Sequence, residues 1–286
     1  MRASEARLAM ARAAPEAPDP AQHFLPDALA RIEGFAFLSR AERRLVSQVQ
    51  ARTYAAMFRL LAAVTGAPQR APFAPLEALM AQCMPAGYRF VADPASEAGV
   101  LRARSRWSLL ALSCLAGLAA QAHYRQTLEP GTPLDAAWRE HLRRHWQASS
   151  QRAEDDEQRW REEDRVLDRE ARERAVGEFI FAVGRLDRML QAQAAADAAY
   201  FRSVCGRAVA AEELARIEAS LLHAYRWQVL LSGVQMPHFA GLLGDMLDGA
   251  QFGWVASALA PLFDASREPR IGALRAAGPS GPGSGG

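Results

Sequence analysis

Apolar residues at positions 45, 49, 57, 60, 61 and 64 recur at steps that place them on one helical face. Just ahead of them, Ser39 and Glu42 stand at capping-box spacing, which predicts a helix start before "RLVSQVQARTYAAMFRLLAAV". Gly66 followed by Pro68 ends this element. A short helix is expected over "PLEALMAQCM", broken near Pro85 and Gly87. Residues 97–128 read as one long third helix, closed by "EPGTP". The middle of that helix is apolar on nearly every side, the pattern of a helix at the centre of a bundle.

A fourth helix is expected from "TPLD", with Thr132 as cap and Pro133 in the first turn. It runs into the mixed-charge stretch "EDDEQRWREEDRVLDREARER", which reads as a solvated face laced by pairs three and four apart. A fifth helix, beginning "AVGEFIF", ends at Gly206, and a sixth, "AAEELARIEASLLHAYRWQVLL", ends at Ser232 and Gly233. "MPHFAGLLGDMLDGAQFGWVASALAPLF" supplies one or two closing helices. No alternating strand and no repeat interrupts this order, so the expected fold class is all-α. Residues 29–265 form the expected helical domain, between flexible ends at 1–28 and 266–286.

Composition narrows the chemistry. The chain has 286 residues, half of them hydrophobic, with a formal net charge of +2, too little clustered cation for nucleic acid. It contains no lysine and no asparagine, a bias that codon usage in a GC-rich genome explains better than thermal adaptation. Schiff-base catalysis and a P-loop lysine are therefore excluded. Cys83, Cys114 and Cys205 are sparse and widely spaced, as in a reduced compartment, and are expected to act as small apolar residues. No signal peptide and no membrane-length apolar run is legible. A cytoplasmic protein, with no nucleic-acid or membrane partner, is the expectation.

A dimetal site inside a bundle requires Glu-x-x-His on two helices, because residues three apart share a face. The six histidines are His23, His123, His141, His145, His223 and His238; three places before them stand Pro20, Ala120, Trp138, Leu142, Ser220 and Gln235. No Glu-x-x-His exists. His141 and His145 share one face, as a two-histidine metal site would, but beside Arg143 and Arg144 they read better as a polar surface. Nucleophile elbows, dinucleotide loops and zinc-protease motifs are lacking, and "GPSGPGSG" reads as a tail. "AYRW" at 224–227 could stack a ring; core packing with one outward arginine fits the apolar helix better.

Five fragments, in this order, resemble a bacterial group of ferritin-like proteins that usually hold a di-iron carboxylate site. They are "FLSRAERRLVSQVQARTYAAMF", "QAHYRQTL", "RRHWQASSQRA", "AYRWQVLLSG" and "PHF", spread over residues 35–240. The resemblance implies a ferritin-like bundle with additional C-terminal helices. It also implies where ligands should stand: a first-helix glutamate at Ala62 or Ala63, and a second-helix motif at Met80 and Cys83. The third-helix glutamate falls at Gly117, and the fourth-helix motif at Ser149 and Arg152. None of these residues is a carboxylate or an imidazole, so the frame of a metal helix remains without its ligands.

The implied function is a non-catalytic binding or interaction protein with no cofactor. Its partner would be a small apolar ligand, another protein or a ferritin-like relative in a homo- or hetero-oligomer. An enzyme of the di-iron oxidase or oxygenase type, with unplaced ligands or metal-independent chemistry, stands as the alternative; a purely structural subunit is a third. The emptied positions are expected to converge in a closed core with a small residual cavity. Arg152 is expected either to form a buried ion pair with Asp187 or Asp197, or to reach solvent beside Glu154 and Asp155.

Overall fold

A computed structural model describes residues 25–66, 85–127 and 136–264, without the side chains of 136–138, 141, 142, 145 and 264. All regular structure in these residues is helical. The expected short helix over "PLEALMAQCM", the Thr132 cap, most of the N-terminal segment and the Gly/Pro/Ser tail lie outside the described residues. Within the segment 1–28 expected to be flexible, Leu25 is fully buried, and Asp27 and Ala28 belong to the helix α1 (Asp27–Ala30). Arg31, at φ 50°, turns the chain into a 3₁₀ turn over Ile32–Phe35.

Helix α2 (Arg40–Val64) starts with the reciprocal bonds that its sequence announces. Glu42 Oε2 accepts from the Ser39 amide at 2.8 Å, and Ser39 Oγ accepts from the Glu42 amide at 3.3 Å. The expected third helix is two: α3 (Pro94–Arg102) and α4 (Arg106–Thr127). Asp93 caps α3 ahead of Pro94. Ser105 separates the two; its hydroxyl accepts from the Ser108 amide while its own amide donates to Glu178 at 2.6 Å. The mixed-charge stretch also divides, into α5 (Ala136–Val166) and α6 (Arg169–Val204), because Asp168 caps α6 by accepting from the Ala171 amide. That stretch is not wholly solvated: Asp156, Trp160 and Asp164 form a buried face within it.

Helix α7 (Ala211–Arg226) passes through a π turn, Trp227–Leu231, and one further α turn, Ser232–Val234. α8 (Pro237–Met246) and α9 (Gly249–Asp264) complete the described chain. α4 is buried along most of its surface, as its all-round apolar middle requires; it packs along α5, while α6 packs along α7. The end of α7 lies so close to α4 that a Cβ on Gly233 would collide with the Leu115 carbonyl oxygen. Bonds distant in sequence close the bundle: Gln228 donates to the Leu29 carbonyl at 2.8 Å and Ser220 to that of Gly34 at 3.1 Å. Among the described residues, no helix is long and apolar enough to cross a membrane.

Candidate functional site

The centre of the bundle is polar at three levels. At the first, Gln50 and Thr53 of α2 stand one turn apart, and Gln193 and Asp197 of α6 likewise. Asp197, 1% exposed, accepts from Thr53 Oγ1 at 2.7 Å, Tyr225 Oη at 2.6 Å and Gln193 Nε2 at 2.8 Å. Burial pushes its carboxyl up to about 7 against the lowering effect of these three bonds. At the second level the buried Gln228 Nε2 donates to Gln50 Oε1 at 3.2 Å. At the third, buried His123 bridges Tyr54 and Ser232, each at 3.0 Å, beside the Trp227 ring. Tyr225, Gln228 and Ser232 straddle the π turn and serve these three levels in order. π turns recur at functional sites, since one extra residue re-aims those that follow.

The residues expected to mark an emptied metal site are only partly brought together. Gly117 is buried beneath α5: a Cβ there would meet the Ala153 Cβ at 2.8 Å and the Ser149 carbonyl at 3.4 Å. Ser149 is buried, whereas Ala62 and Ala63 are half-buried in the last turn of α2. Met80 and Cys83 lie outside the described residues, as do the side chains of His141 and His145.

Arg152 is half-buried and is not the partner of either aspartate. Asp187 is held by Arg226, with Nε at 2.6 Å and Nη2 at 2.9 Å, and Asp197 by the three neutral donors. The reason is topological: α5 lies along α4, so the inner face of α6 meets α7, α4 and α2 instead of α5. Arg226 turns inward, against the expectation of an outward arginine in "AYRW", because α6 offers it a carboxylate. Asp187 and Asp197 were legible as candidates, and Tyr225 as part of "AYRW"; Thr53, Gln193 and Ser232 were not. Their one signal is polar residues recurring at helical spacing inside apolar stripes.

Two clefts open outside this centre. One, about 330 Å³, lies between α4, α5 and the start of α8, with Cys114, Leu118, Arg125, Glu157, His238 and Leu242 in its walls. His238 Nε2 and Glu157 Oε2 are 2.7 Å apart, and Glu157 Oε1 accepts from Arg161 at 3.1 Å. Burial, then the charges of Asp156 and Glu157, raise the Cys114 thiol well above its ordinary range. A second cleft, about 290 Å³, separates α6 from α9 and exposes an edge of Asp187.

Among the described residues, no group of three or more His, Cys, Asp or Glu side chains is placed to hold a metal ion. The positions that the resemblance assigns to ligands carry methyl, thioether, thiol, hydroxyl and guanidinium groups or no side chain at all, none of them a carboxylate or an imidazole, which does not fit a di-iron carboxylate site. No family model, curated protein or solved structure matches the chain.

Proposed function

We propose that the chain is a ferritin-like bundle that has given up its di-iron site and serves as a non-catalytic binding protein. The observation that supports this reading most is Gly117. The position where a bridging glutamate would stand lies under Ala153, with no room even for a methyl group. The central histidine and aspartate are engaged by hydroxyls and an amide rather than left as ligands. The cleft between α4, α5 and α8 is the place for a small ligand, its apolar part resting on Leu118 and Leu242. A thiol-based enzyme reading, with Cys114 as nucleophile in the cleft that His238 and Glu157 also line, is disfavoured because burial raises that thiol, the reverse of an activated one.

The test is elemental analysis of freshly purified protein with an anaerobic ferrous-iron titration. No stoichiometric iron or manganese is expected; about two ions per chain, as in a di-iron bundle, would sink the reading.

A further inference from the structure

Asp197 is a buried carboxyl with three neutral donors and no bonded cation. Around it stand Tyr225 from α7, Tyr200 from α6, Tyr88 from the irregular segment 85–92, and Arg52 from α2. The Arg52 guanidinium lies over the Tyr88 ring, 4.9 Å from its centre, rather than on the carboxyl. Arg226 is committed to Asp187. An ionised Asp197 is therefore an uncompensated charge in a dry site, which is costly until water reaches it. Three walls of the site, α2, α6 and α7, are packed helices. The fourth wall is segment 85–92, which is largely exposed, with Phe90 and Ala92 half-buried against the core, and is clasped by side chains of α2 and α6.

Those clasps converge on Asp197. Gln193 donates through Nε2 to both Asp197 Oδ1 and the Arg89 carbonyl, and its Oε1 accepts from the Val91 amide at 2.8 Å. Tyr88 Oη meets Thr53 Oγ1 at 2.9 Å, and Thr53 meets Asp197. Tyr200 donates to the Pro85 carbonyl and packs edge-on against Tyr88. We infer that segment 85–92 is a strap closed over Asp197, and that the protonation of this carboxyl decides whether the strap stays shut.

The hydroxyls supply the proton path. With Asp197 ionised, Thr53 donates to Oδ2 and accepts from Tyr88. With Asp197 neutral, Oδ2–H donates to Thr53, whose own hydrogen turns to the Tyr88 oxygen. The chain of bonds reverses without moving a heavy atom, so the neutral site stays closed. Loss of the proton leaves a buried charge held by neutral donors alone beneath the strap, and lifting the strap is what hydrates it. A carboxyl that titrates near 7 when closed and near 4 when hydrated makes opening more favourable as pH rises between those values, and constant above them.

Amide hydrogen exchange of Val91 in the full chain, corrected for the intrinsic rate, reads the opening directly. Between pH 5 and 7 the opening constant is expected to rise by up to about tenfold per unit, then level off, and Asp197→Asn should flatten it. The carbon-13 shift of the Asp197 carboxyl in the unaltered chain, expected to titrate near 7, keeps the test open if that variant does not fold. A carboxyl titrating near 4 overturns the proposal, as does constant Val91 protection while the carboxyl titrates. Parallel loss of protection at Leu112 and Leu115 in the core of α4 also overturns it, since the event would then be unfolding of the whole bundle.

Discussion

Arg226 and Asp187 meet through two parallel bonds, with the side chains 9% and 11% exposed. Truncating Arg226 to alanine strands the aspartate, and the expected cost is about 3–5 kcal/mol in urea denaturation. Arg152, half-buried on α5, ties nothing of the kind, so Arg152→Ala should stay within about 0.5 kcal/mol. Equal costs would mean that the pair has been misplaced. Two glycines make a second contrast. Gly233→Ala drives a methyl group into the Leu115 carbonyl and should destabilise by about 1–3 kcal/mol through overpacking. Gly241, in the middle of α8, has open space around its missing Cβ, so alanine there should stabilise by about 0.5–1 kcal/mol. Thermal midpoints moving in the same direction for both would contradict the packing at the α4–α7 contact.

At the scale of elements, caps set the boundaries more than periodicity does. The Ser39–Glu42 box was readable because both of its halves lie in sequence before an apolar run. Ser105 and Asp168 were not, since each sits inside a stretch whose composition suits an unbroken helix and only the third dimension favours a break. Asp168→Ala, which removes the acceptor for the Ala171 amide, should cost about 0.5–2 kcal/mol and fray the start of α6, visible as faster exchange there. The same limit hid the bundle centre. Helical spacing shows that α2 and α6 have inner faces, yet it does not say which residue meets which; a shift of one turn keeps the apolar pattern and changes every polar pairing. That is why sequence spacing does not tell that Asp187 meets Arg226, while Asp197 meets only neutral donors and Arg152 pairs with neither. The π turn adds a residue that no periodic template contains, and with it the placing of Gln228 and Ser232.

For the whole molecule, all-α architecture with a buried central helix followed from the lack of alternation and the all-round apolarity of α4. Its pH response includes carboxyls shifted in opposite senses: Glu42, Glu140 and Glu213 are lowered, first by hydrogen bonds to Ser39, Arg143 and Arg207 respectively, and Asp197 is raised by burial. Glu42 is held below 4.5, first by its bond with Ser39, so its contribution is present above that value and is lost as the solution becomes acid. Asp197 is raised from 3.8 to about 7, so its contribution is complete below 3.8 and drains away as pH rises towards 7. Unfolding free energy measured from pH 5 to 7 is therefore expected to fall, and Asp197→Asn should remove most of that slope. A slope unchanged in the variant would assign it to other groups.

Gln228 joins the backbone of Leu29 across 199 positions of sequence, close to where Ser220 reaches Gly34. On a ribosome this bond fixes an order of events. At about 5–20 residues per second, Leu29 waits about 10–40 s for its partner to be made. Until then α1 and α2 can pack against α3 and α4 but lack their contacts with α6 and α7. The early helices spend that interval against one another or against a chaperone; the last turns of α7 then close over them, and α8 and α9 add the remaining part of the core.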